Sequence, residues 1–182
     1  MMNFHYRENF FDSSTKVIEV YDDRDNPRYS LSLFYTSSRQ KTFAHLGRQK
    51  HNFQIEGGEF NYSTKQEKSF EGKFKTPFRT VWEVIKDGAA IGEFTTKMAF
   101  KPKMVFEGAG GESLHFESGF FSRAVTVTNR NGKEIMKTKS EYFKLASRHD
   151  IEILDNKYDS ALLILLFQVF YEYQEHLRKK SN

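Results

Sequence analysis

The sequence predicts a mostly β protein whose antiparallel sheet closes into a barrel around a hydrophobic C-terminal α-helix. Three observations carry that prediction. Alternating apolar runs recur along the chain, each interrupted by residues that favour tight turns. No stretch before Asp155 holds apolar residues at helical spacing for three turns, although "RTVWEVIKDGAA" fits a strand and a short helix equally. The terminal stretch "DSALLILLFQVFYEYQEHL", Asp159 to Leu177, is apolar on every side for two helical turns, and a helix lying on an open sheet would show a polar stripe there instead.

In chain order, the opening "MMNFHYRENFFDSS" has no apolar run of signal-peptide length and no glycine at position 2, and the chain lacks the cysteine that lipidation would need. This reads as cytoplasmic. Lys16 to Tyr35, "KVIEVYDDRDNPRYSLSLFY", is the first hairpin, turning at Asp-Asp-Arg-Asp-Asn-Pro. "HNFQIEGGEFNYST" gives two strands about Gly57-Gly58. Thr80 to Lys97 turns at Lys-Asp-Gly, "KMVFEGAGGESLHFES" turns over Gly108 to Gly111, and Ala124 to Lys139 turns at Asn-Arg-Asn-Gly. Asp, Asn and Gly accept the positive φ of tight hairpins, so each is a turn with a mechanism. "RHDIEIL", Arg148 to Leu154, is a last alternating strand. The unequal spacing excludes a solenoid of fixed period.

The helix is expected over about residues 157–178, with Asp159 or Ser160 capping its first amides and Arg178, Lys179 and Lys180 at the end that favours positive charge. Ala161 to Phe167 is uniformly apolar, and Gln168, Glu172 and Glu175 then form a polar stripe, so the second half should be half-exposed. A bilayer span takes about 20 mostly apolar residues, and Gln168, Glu172, Gln174 and Glu175 interrupt this one. A closed apolar barrel buries all faces of such a helix. Roughly 17 helical residues rise about 25 Å, which strands of about seven or eight residues match.

These hairpins, "VIEVYDDRDNPRYSL", "WEVIKDGAAIGEF" and "VTVTNRNGKEIMKTK", followed by "DIEIL" and "YDSALLILLFQVF", resemble the LURP-one-related branch of the tubby C-terminal-like superfamily, which also includes phospholipid scramblases. The likeness runs from about Lys16 to Leu177 and rests on pattern and order. It implies about twelve strands around the helix. Fold alone assigns no activity.

Candidate chemistry is sparse. Without cysteine there are no disulfides, thiolate nucleophiles or thiolate metal sites. "GGESLH" is not a nucleophile elbow, since Leu114 and His115 follow Ser113 where the motif needs a glycine two residues on. "GAGGES" lacks the third glycine and following helix of a dinucleotide fingerprint. His45 and His51 have no zinc spacing, and His115, His149 and His176 are isolated in sequence. Asp22, Asp23, Asp25 and Asn26 lack the central Gly and closing Glu of an EF-hand loop. "DNKYD", Asp155 to Asp159, stands near where scramblases bind calcium, but Lys157 splits its carboxylates; turn and helix cap are the plainer readings. No metal or cofactor is called for.

A net charge of +4 is modest, but basic residues cluster in "KFKTPFR" and "KMAFKPK". Lys73 and Lys75, with Arg79 close by, and Lys101 with Lys103 are alternate positions that share one side of an extended segment and could hold a phosphate. An ordinary mixed-charge exterior is the competing account. No nucleic-acid motif is visible. The reading is one domain over residues 1–182, a non-enzymatic binding module at a membrane surface. Its favoured partner is anionic phospholipid or a phosphoinositide headgroup, held by Lys73, Lys75, Arg79, Lys101 and Lys103. The alternatives are a protein-interaction scaffold, marked by an apolar exposed sheet edge, and an enzyme whose site brings His115, His149 or Ser113 to carboxylates.

Overall fold

Period-two alternation puts one set of side chains inside and the other outside, and twelve strands use it here. The computed structural model describes residues 1–9, 14–37, 52–66, 80–97, 101–119, 122–141 and 146–181. The strands are β1 (Met2–Arg7), β2 (Ile18–Asp22), β3 (Pro27–Phe34), β4 (Asn52–Glu56), β5 (Tyr62–Gln66) and β6 (Val81–Lys86), then β7 (Ala89–Thr96), β8 (Lys103–Gly108), β9 (Ser113–Ser118), β10 (Val125–Asn129), β11 (Glu134–Ser140) and β12 (Arg148–Ile153). The helix α1 spans Ser160–Ser181. Every strand is antiparallel to its sequence neighbours, and β1 closes the barrel on β12, with Phe4 opposite both Asp22 of β2 and Ile151 of β12.

Strand β1 was not expected from the sequence. Its signal was present in the alternation of Phe4 and Tyr6, both buried, with His5 and Arg7 pointing the other way. It is short, and it becomes a strand because β2 and β12 each offer it an edge.

The sequence expectation for "RTVWEVIKDGAA" resolves to strand β6. A two-residue turn joins it to β7, with Asp87 at φ 46° and Gly88 at φ 86°, the left-handed pair that matches strand twist. Gly92 serves a different purpose. A Cβ there would stand 2.3 Å from the Glu107 carbonyl oxygen, so only glycine lets β7 approach β8 this closely.

Inside, α1 meets strands on several sides of the wall. Tyr29 of β3 shares a 2.6 Å hydrogen bond with Ser160, and the Tyr62 hydroxyl of β5 donates to Asp159 at 3.0 Å. The Phe94, Phe116 and Phe170 rings pack in series from β7 through β9 to α1, the first pair edge-on and the second tilted, with centroids 5.0 and 6.1 Å apart. His149 of β12 lies edge-on to Phe167 and Tyr171. Contacts from so many strands enclose the helix, and Leu163 through Phe167 are fully buried. Asp159 is the N-cap, its Oδ1 accepting the Ala161 amide at 2.8 Å, so the helix starts three residues later than the 157 expected and runs on to Ser181.

Of the expected polar stripe, Glu172 and Glu175 are half-buried as expected, and Gln168 departs from it. Gln168 is 1% exposed and Gln174 equally buried: Tyr6 and Glu8 take the place of water at Gln168, while Gln174 Nε2 donates to Ser118 and its Oε1 has no partner. Full enclosure therefore reaches Tyr171, and from Glu172 onward α1 is half-exposed apart from the buried Gln174.

Because all pairings are antiparallel, the barrel has two distinct ends. The tight turns after β2, β4, β6, β8 and β10 share one rim with the start of α1, called the turn rim. The connections after β1, β3, β5, β7, β9 and β11 share the other with the end of α1, called the connection rim.

Candidate functional site

The connection rim holds two of the basic groups singled out in sequence, Lys101 and Lys103. β7 ends at Thr96, and the amide of Lys97 donates to the Lys103 carbonyl at 2.9 Å, drawing the start of β8 alongside. Lys101 is exposed just before that strand, and Lys97 is exposed just after the other. Lys103 is spent locally: it pairs with Glu117, directly opposite on β9. Lys101 and Lys103 thus do not act as an equivalent pair. Lys73, Lys75 and Arg79 lie outside the described residues, as do His45 and His51.

Arg123 and Arg178 at this rim are also committed. Arg123 donates to the Glu141 carbonyl at 2.8 Å and sits 3.8 Å from Glu175. Arg178 pairs with Glu175 and donates to the Ser122 carbonyl at 2.8 Å, tying the end of α1 to the wall. Lys16, Lys97 and Lys101 have no ion-pair partner among the described residues. Next to Lys16 stands Val17, 56% exposed, the only large apolar side chain so exposed among the described residues besides Met1.

Just inside the same end lies a polar cluster that sequence reasoning missed. The Tyr6 hydroxyl donates to Gln168 Oε1, and Gln168 Nε2 donates to Glu8 at 3.0 Å and Glu172 at 3.3 Å. His149 is fully buried beside them, with Nδ1 2.8 Å from Ser140 Oγ. Its Nε2 lies 3.6 Å from Glu8, within ion-pair distance but too far for a hydrogen bond, and so has no partner. Burial, reinforced by the Glu8 charge, pushes the hydroxyls of Tyr6 and Tyr171 well above their usual range. The cluster anchors the helix. The only sequence hint was a glutamine at the edge of an apolar run.

At the turn rim a cavity of about 310 Å³ opens over Phe106, Leu114, Leu162 and Leu163, with Lys86, Lys157, Glu112 and Asp159 around its mouth. Its charges balance, and Asp159 is fully used by Tyr62 and the helix cap. Burial, with the Asp159 carboxylate next, raises the Tyr62 hydroxyl. Asp155 is held low by Lys133, whose ammonium stands 2.6 Å away. The "DNKYD" carboxylates are therefore turn and cap groups. Among the described residues no group of three or more His, Asp or Glu could hold a metal ion.

The candidates for catalysis are not brought together. Ser113 and His115 are 3.3 Å apart on the outer face of β9, where Ser113 also donates to Glu107 at 3.3 Å. His149 points inward from β12, so the barrel wall separates it from them. The closed barrel also leaves no sheet edge for a strand-pairing partner.

A family sequence model, the Tubby C-terminal like domain, matches residues 4–173, from inside β1 to the half-exposed part of α1. The chain belongs to this family. No curated protein and no solved structure matches the chain. The tubby-like match begins two residues into β1, so the strand that the sequence reading overlooked is part of the family's domain. No helix among the described residues of this tubby-like chain is long and apolar enough to cross a membrane.

Proposed function

We propose that this tubby-like barrel is a non-enzymatic module that binds anionic phospholipid, including phosphoinositide headgroups, at the surface of a membrane. One observation carries the reading: Lys97, just after β7, and Lys101, just before β8, are both exposed at the connection rim, without the acidic partner that occupies Lys103. Two uncommitted ammonium groups keep their charge available for phosphate. Membership supports this, since tubby-like domains commonly bind phosphoinositides. Lys73, Lys75 and Arg79 belong to the same proposed surface by their place between β5 and β6.

In this reading the protein is a single domain over residues 1–182, of the LURP-one-related branch, cytoplasmic and membrane-peripheral. The hairpin order and the terminal hydrophobic helix support the branch. The test is co-sedimentation with neutral and anionic liposomes at low and high salt. Binding to anionic vesicles that weakens with salt is expected. Equal binding to neutral vesicles, or none under any condition, refutes the proposal.

A further inference from the structure

Charge is divided along the barrel axis. The turn rim is crowded with carboxylates: Asp23 and Asp25 in the first turn, Glu56 and Glu59 about the second, Asp87 in the third and Glu112 in the fourth. Cations are fewer there than carboxylates: Lys133 pairs with Asp155 and Lys86 lies over the Phe60 ring, while Arg24, Arg28, Arg130 and Lys157 are exposed among the acidic groups. Along the wall Arg148 pairs with Asp150 and Lys137 with Glu134, and at the connection rim Arg7 pairs with Glu141. Lys16, Lys97 and Lys101 stand uncommitted at the opposite rim. Exposed Val17 is beside them.

We infer that the barrel docks end-on, presenting the connection rim to an anionic bilayer with α1 along the membrane normal and the acidic turn rim facing away. This deepens the membrane-binding proposal and rests on it. Strands of five to eight residues run roughly 16–26 Å between the rims, and the Debye length at physiological salt is about 8 Å. Docked end-on, the carboxylates of the turn rim lie about two screening lengths or more from the lipid. Docked side-on, carboxylates and cations alike come within one. Exposed Val17 adds apolar area at the docking rim.

The chain contains no cysteine, so one introduced thiol labels one position. Thr15→Cys marks the connection rim beside Lys16, and Gly110→Cys marks the turn rim, where an added Cβ meets nothing within 4 Å. Each full-length variant, carrying an environment-sensitive fluorophore, is bound to phosphatidylcholine vesicles containing phosphatidylserine, with and without a nitroxide quencher on the lipid. The label at 15 should be quenched several-fold more than the label at 110. Equal quenching of both, or stronger quenching at 110, overturns the end-on pose while leaving membrane binding intact. Absence of vesicle binding in both variants and in the unlabelled protein overturns the functional reading, and the pose with it.

Discussion

The hydroxyl of Tyr6 donates to the side-chain oxygen of Gln168, joining the first strand to the last helix across 162 residues of sequence. Both groups are buried, and Gln168 passes the link on to Glu8 and Glu172. A buried acceptor deprived of its donor costs about 1–3 kcal/mol. Tyr6→Phe should therefore lower unfolding free energy by that amount in urea melts, well beyond the loss of one exposed hydroxyl. A change under about 0.5 kcal/mol, the range of neutral surface substitutions, would mean that the link is idle.

Enclosure of the helix is tested at Leu163, which has no exposed surface. Leu163→Ala should cost about 2–5 kcal/mol through lost transfer energy and the cavity left behind. Leu163→Asp should prevent folding, since an unpaired carboxylate has no partner inside the barrel. Circular dichroism reads both. A folded aspartate variant of normal stability would place the helix outside.

Close approach of β7 and β8 depends on Gly92. Adding one methyl drives a Cβ into the Glu107 carbonyl, so Gly92→Ala should destabilise by about 1–3 kcal/mol or shift the register. Gly110→Ala, with nothing in reach, should stay within about 0.5 kcal/mol. Thermal melts of the two side by side make the comparison.

For lipid binding, the distinction between Lys101 and Lys103 matters. Each basic residue near an anionic surface contributes about 1 kcal/mol, so Lys97→Gln with Lys101→Gln should weaken vesicle binding roughly thirty-fold. Lys103→Gln should do less, because Glu117 already occupies its charge. Equal effects from the two variants would count against the assignment.

Alkaline stability follows from the buried tyrosines. Burial raises the hydroxyls of Tyr6, Tyr62 and Tyr171 above the usual 10.0, so the folded state holds protons that the unfolded chain releases. Their contribution is complete below about pH 10 and is lost as pH rises from there through the folded values. Tyrosinate absorbance from these groups should appear together with loss of ellipticity. Full tyrosinate absorbance in the folded protein would contradict their burial.

Much of the fold was legible in the chain because hairpin turns and alternation are local signals. Asp87-Gly88 announces its turn, and Ala161 to Phe167 announces full burial, without reference to anything distant. The closed sheet followed from that second fact alone, since no open sheet hides every face of a helix. β1 escaped notice because six residues of weak alternation become a strand only between two partners far away in sequence.

The sequence by itself thus determined the barrel, its hairpins, its enclosed helix and the presence of basic clusters, all properties of residue type and spacing. Tertiary structure decided which charges remain available. Lys97, Lys101 and Lys103 look alike in sequence, yet one meets Glu117 across the ladder. Gln168 looked solvated, yet the closed wall supplied Tyr6 and Glu8 to it. Whether a polar group is free or satisfied depends on what the fold brings opposite it, and the strand register sets that partner.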